Sequence, residues 1–214
     1  MQSVAPKQML KHSVKYQSKY YGMIKAENDD KDLVVGILTK SFDTNQSVNY
    51  IVQQDEKRSE RIKSLMDYSF EVCYAFGDIF LSDDKKACAL VLFPDQKRTT
   101  LKSIILDVKL IFNSIGITNI AKAMGRESKI KSLQAKEQMY YLWFIGVDPK
   151  YQGSGIGSQL MQEIIEDSRK QQLPIYLETS TVKNLPWYKK FGFEIYNELQ
   201  LSYKLYFLKL ELIK

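Results

Sequence analysis

The sequence predicts an α/β (α+β) fold: a mixed central sheet of about six or seven strands flanked by helices, with an extra helical insertion between a strand hairpin and a glycine-rich turn. Three observations predict it. Two segments with helical apolar spacing precede two short strands separated by a polar turn, which places helices and an antiparallel hairpin in the first half. A strand, a helix and another strand then follow within about 35 residues, the span of a crossover between parallel neighbours. Two further strand-like runs end the chain, so parallel and antiparallel pairing must coexist.

Residues 1–20 show no clean periodicity and are expected to be a mobile tail, with 21–214 forming a single domain. Residues 21–26 read as a short strand. Asn28, Asp29 and Asp30 offer caps for a first helix, in which Leu33, Val34, Ile37, Leu38 and Phe42 share one face. In a second helix over 57–76 the apolar positions Ile62, Leu65, Met66, Phe70, Cys73 and Tyr74 follow the 3.6-residue period, and Gly77 stops it. DIFLS and ACALVLF then flank the polar turn Asp83-Asp84-Lys85-Lys86. Residues 98–138 form the insertion. Leu101, Ile104, Ile105, Val108, Ile111, Phe112 and Ile115 make one stripe ending at Gly116, a suitable C-cap. A shorter helix to Gly125 and a basic helical stretch over 127–138 follow. With one apolar face, the insertion is expected to pack on the sheet rather than meet a membrane or partner.

YYLWFIGV, 140–147, is an apolar run of the kind buried on both faces. After the glycine turn, Ile156, Leu160, Met161, Ile164 and Ile165 mark a helical face. LPIYLETS reads as a strand and LPWYKKF as a short helix closed by Gly192, with FEIYNEL and YKLYFLKLEL as the final strands.

Composition excludes several chemistries. His12 is the sole histidine and Cys73 and Cys88 the sole cysteines, so no Cys/His set exists for a structural zinc, and no metal is expected. A histidine-based triad would have to use the N-terminal segment. Both cysteines sit among apolar neighbours, as buried structural thiols do. The net charge is +6, but its lysines are scattered and answered by nearby acids, so no nucleic-acid partner is expected. No apolar run reaches the roughly 18 residues of a membrane span, and residues 1–22 lack the apolar core of a secretion signal. A cytoplasmic protein is expected.

The stretch Gln152-Gly153-Ser154-Gly155-Ile156-Gly157 uses three of the chain's 10 glycines. Between a strand and a helix, such a turn exposes backbone N–H groups at the positive end of the helix dipole, with no side chains to hold a ligand away. Its natural target is a phosphate or diphosphate. No lysine follows in the P-loop position, and Ser158 stands where a dinucleotide fingerprint needs its third glycine.

A second string, Tyr188-Lys189-Lys190-Phe191-Gly192-Phe193, lies just beyond the partner strand and follows Thr179-Ser180-Thr181-Val182-Lys183-Asn184. With both strings in this order, the chain resembles the GNAT superfamily of N-acetyltransferases over about residues 21–212. The resemblance implies transfer of an acetyl (acyl) group from acetyl-coenzyme A to a primary amine of a small molecule or peptide, by direct attack in a ternary complex. The alternative is a non-catalytic coenzyme A-binding module; a dinucleotide-binding protein is a third reading. By the same resemblance Gln152, Gly153, Ser154, Gly155, Ile156, Gly157 and Ser158 hold the diphosphate. Ile145, Gly146 and Val147 run along the pantetheine arm, and Gly146 would suit a bulge that begins to splay the two parallel strands. Tyr188 is the expected proton donor to the leaving sulfur. Asn184, one turn earlier, either contacts the cofactor or caps the short helix. The base is open: Tyr141 occupies the strand position where some members carry a glutamate. Glu178, Glu137 or a water chain could replace it. A monomer or homodimer is expected, with no membrane partner.

Overall fold

The computed structural model describes residues 22–212. The tail expected over 1–20 lies outside the described residues. Seven strands form one sheet in the order β1-β2-β3-β4-β5-β7-β6. They are β1 (Ile24–Lys25), β2 (Gly77–Leu81), β3 (Ala87–Leu92), β4 (Tyr140–Val147), β5 (Ile175–Thr179), β6 (Glu194–Gln200) and β7 (Lys204–Leu210). Only β4 and β5 pair parallel; all other neighbours are antiparallel. The mixed sheet expected from sequence is therefore present.

Helices cover both faces. On one lie α1 (Lys31–Ser41) and α3 (Arg58–Phe76), whose Val34, Leu38, Ile62, Met66 and Phe70 are fully buried against β2 and β3. On the other lies α6 (Ile156–Gln171), burying Leu160, Met161 and Ile164 against β3 and β4. Each such side chain contributes about 1.5–3 kcal/mol of transfer free energy before ordering costs. Both cysteines are buried and unpaired. The short α2 (Gln46–Ile51), capped by the Asn45 side chain, follows α1, and α7 (Leu185–Lys190) precedes β6.

β4 departs from the expectation of two uniformly buried faces, because its residues alternate between buried and half-buried. The strand also carries a bulge, which changes the face that is buried. Leu90 pairs with Phe144 and Val91 with Leu142, leaving Trp143 without a partner on β3. Before it, Tyr140 and Leu142 face α6 while Tyr141 and Trp143 face the α1/α3 side. Past it the parity inverts: Phe144 joins the α1/α3 cluster, and Ile145 and Val147 pack toward α6. The bulge thus falls at Trp143, not at Gly146. Gly146 serves a close approach instead, since a Cβ there would lie 3.1 Å from both Leu38 Cδ2 and Ser41 Oγ of α1.

The insertion is helical, as expected, with α4 (Leu101–Leu110), a π-helical turn (Ile111–Ile115) closed by Gly116 at φ +76°, and α5 (Ile120–Leu133). Two expectations fail there. α5 runs unbroken through Gly125, and the stripe Leu101, Ile104, Ile105, Val108, Phe112 is exposed rather than packed on the sheet. α4 seats its opposite side, with Ser103 buried and Leu106 and Leu110 half-buried, against α3.

Candidate active site

The parallel pairing of β4 and β5 is short. It spans Tyr140↔Ile175 and Tyr141↔Tyr176, after which the two strands separate. A cavity of about 760 Å³ opens in the gap, within the range that holds small ligands and cofactors. Ile145, Gly146 and Val147 of β4 form one wall, and Gln152, Gly153, Gly155, Ile156, Gly157 and Ser158 form the floor. Asn184, Trp187 and Tyr188 close the far side. Of the residues expected to hold a cofactor, Ser154 alone does not line the cavity; its hydroxyl donates to Tyr151 O at 2.6 Å.

The glycine turn has the backbone its sequence implies. Gly153 and Gly155 have φ of +81° and +88°, and nothing lies within 4 Å of where a Cβ would stand on either. Gly157 differs, since its Cβ would come 3.0 Å from Val147 Cγ2; here glycine lets α6 start against the end of β4. Among the described residues, the N–H groups of Gly153, Ser154, Gly155, Ile156 and Gly157 donate to no protein acceptor. Four of these five residues, all but Ser154, line the cavity, and their donors at the start of a helix of 16 residues form an anion cradle.

Asp148 anchors the turn. It accepts from Lys150 N at 3.0 Å and pairs with Lys40 at 3.0 Å, and these two contacts hold its carboxyl below the usual range. Trp187 Nε1 donates to Ser158 Oγ at 2.9 Å, tying α7 to the start of α6. Tyr188 is buried, packed edge-on against Trp187 and Phe193, and its hydroxyl has no hydrogen-bond partner among the described residues. Burial pushes that hydroxyl up, so it stays protonated and available as a donor.

Glu178 lies elsewhere. On β5 it alternates with Leu177, which faces α6, so its carboxylate is on the α5 side and does not line the cavity. Tyr141 OH donates to its Oε2, and Gln134 Nε2 donates to its Oε1 at 2.8 Å. Burial raises the Glu178 carboxyl, opposed by these two donors and by the charge of Arg126. The other candidate, Glu137, accepts from Tyr176 OH.

Sequence reasoning missed the third wall, where Ser41, Phe42, Thr44, Asn45 and Gln46 line the cavity from the α1–α2 link. Ser41 Oγ lies 2.7 Å from Val147 O, and Asn45 Nδ2 donates to Thr181 Oγ1 at 3.4 Å. Ser180 and Thr181 also line the cavity; they lie in the polar run before Tyr188, the one local signal available.

Residues 118–195 match the acetyltransferase (GNAT) domain family. An uncharacterised N-acetyltransferase of Schizosaccharomyces pombe is 36% identical over 66 residues, 31% of this chain and 27% of that protein. The match thus spans about a quarter of that relative's length. Among solved structures, a histone acetyltransferase HPA2 and related acetyltransferase of Corynebacterium glutamicum superposes with a TM-score of 0.65 at 17% identity, covering 90% of this chain and 97% of that one. The C-terminal condensation domain of Ebony, in complex with β-alanyl-dopamine, gives a TM-score of 0.63 at 10% identity, covering 89% and 98%. At these identities the likeness is one of fold.

Proposed function

We propose that this chain, whose residues 118–195 match the acetyltransferase (GNAT) domain family, transfers an acetyl group from acetyl-coenzyme A to a primary amine of a small molecule or peptide by direct attack in a ternary complex. One observation carries this reading: of the five unbonded backbone N–H groups at the start of α6, four belong to residues that line the gap between two diverging strands. A diphosphate suits those donors, because Gly153 and Gly155 leave the approach clear. The exposed edge of β4 beyond Tyr141 offers backbone groups to an extended amide-bearing arm, as an open strand edge does to a peptide. The thioester supplies the activated acyl group. Tyr188 would donate its proton at the departing sulfur.

The amine must lose a proton before it attacks. Glu178 is the proposed acceptor, reached through water, with Tyr141 and Gln134 fixing the carboxylate. A second reading, a coenzyme A-binding module without transferase activity, is favoured by one observation: Glu178 stands off the cavity.

Thermal unfolding with acetyl-coenzyme A, coenzyme A, NADH and ATP tests the ligand. Only the two coenzyme A species should raise Tm strongly, by about 2.7 kcal/mol of stabilisation at a hundredfold excess over Kd. A response to NADH alone would overturn the assignment. Turnover is tested by thiol release across an amine panel. Tyr188→Phe should lower kcat by on the order of a hundredfold while leaving the coenzyme A Kd unchanged. Binding without thiol release from any amine would establish the module.

A further inference from the structure

α4 and the π-helical turn that follows it turn an apolar side to solvent. Leu101, Ile104, Ile105, Val108 and Phe112 recur at three- and four-residue spacing and are 82%, 47%, 56%, 47% and 60% exposed. Ser103, half a turn away on the other side, is buried toward α3, so the stripe points directly away from the body of the protein. Beyond the bend, Ile117 and Met124 are also exposed, each 67%. A soluble chain seldom leaves so continuous an apolar strip without a use for it.

Cations border the strip. Lys97 and Arg98 are exposed immediately before α4, and Lys102 and Lys109 lie along one flank. Lys102 pairs with Glu71 at 2.8 Å yet keeps its side chain 63% exposed, whereas Lys97, Arg98 and Lys109 form no ion pair among the described residues. A helix with Leu, Ile and Phe outward and lysines at its border matches the interfacial helices that lie in the plane of a bilayer. A second copy fits less well: symmetric antiparallel pairing of α4 would set Lys102 and Lys109 against the copy's own. Spanning is also disfavoured. Among the described residues no single helix is long and apolar enough to cross a membrane, and the one pair that passes by length is bent by 100°.

We propose that α4 docks the protein on an anionic lipid surface, its apolar stripe seated among the headgroups and Lys97, Arg98 and Lys109 set against lipid phosphates and carboxylates. This rests on neither acyl transfer nor coenzyme A binding. It replaces the sequence expectations that the stripe packs on the sheet and that no membrane is involved.

Co-sedimentation of the full chain with vesicles tests it, using phosphatidylcholine alone and phosphatidylcholine with about 30% phosphatidylserine. The wild type should bind the anionic vesicles at least about tenfold more tightly than the neutral ones, and binding should weaken as salt rises. Ile105→Asp combined with Phe112→Asp should abolish binding, and Lys97→Glu with Arg98→Glu should weaken it on anionic vesicles only. All four positions are exposed, so an unchanged thermal melt would show that the variants fold. Absence of binding to either vesicle, or binding indifferent to the Asp pair, would overturn the proposal. So would a concentration-dependent dimer, seen by sedimentation velocity, that the same Asp pair dissociates without any lipid binding.

Discussion

Gly155 shows how a single residue can serve a site without touching its neighbours. Its φ of +88° caps α6 in the left-handed region, and the space where a Cβ would stand is open. Gly155→Ala therefore meets no clash, only strain of about 1–2 kcal/mol, plus a methyl group projecting where a diphosphate would lie. We expect weaker coenzyme A binding by calorimetry and a modest fall in Tm, whereas an unchanged Kd would remove the turn from the site. Glu178 makes the second residue-level prediction. Its carboxyl is raised in the folded state by burial, so the folded protein holds that proton more tightly than the unfolded chain does. The sign follows: the contribution to stability is present below the unfolded pKa and is lost as pH climbs through the folded one. Glu178→Gln, which can still accept from Tyr141, should flatten this loss in a Tm series from pH 4 to 8. If Glu178 also takes the amine proton, the acid limb of the rate profile should lie above the ordinary carboxylate range in the wild type and vanish in the variant.

Elements were legible where burial imposes a period and illegible where it does not. α6 announced itself through Leu160, Met161, Ile164 and Ile165, all of them buried. α2 did not, because only Val48 of its six residues is buried and one position carries no period. α5 was broken too early at Gly125, a position with open space around it; a mid-helix glycine costs about 1 kcal/mol, which a helix anchored by buried Ile130 tolerates. The bulge at Trp143 left no trace in YYLWFIGV, since a run apolar at nearly every position hides a change of face. The role of Gly146 was misjudged for the same reason: the contact that demands it comes from α1, over a hundred positions earlier in the chain. Gly146→Ala would place a Cβ 3.1 Å from Leu38 Cδ2 and Ser41 Oγ, forcing α1 outward at a cost of about 1–3 kcal/mol. For a chain of 214 residues that corresponds to a Tm lower by roughly 2–4 °C per kcal/mol. The Ser41–Val147 contact should loosen with it, so coenzyme A affinity should fall alongside Tm. A Tm that holds would show that α1 yields freely.

At the scale of the molecule, the sheet is joined across its centre by a two-residue parallel ladder, and the separation beyond it is what creates the cavity. Continuous segments of this site could be read from sequence because strand, glycine turn and helix lie side by side in the chain. The bridge from Asn45 to Thr181 could not, because it joins residues 136 positions apart. A ligand in the gap would complete what the ladder leaves unpaired: the N–H groups of Gly153 to Gly157 on one side and the β4 edge after Tyr141 on the other. Hydrogen exchange can separate the two contributions. Acetyl-coenzyme A should slow exchange both in the glycine turn and along residues 142–147, because its diphosphate and its amide-bearing arm reach different donors. ATP at equal occupancy has the phosphates without the arm, so it should slow the turn alone. α4 should exchange equally in all three states, since its stripe lies on another face of the molecule. Protection appearing instead at the α3–α4 cleft lined by Lys31, Tyr68 and Lys102 would move the ligand there and leave the divergence of β4 and β5 without a chemical purpose.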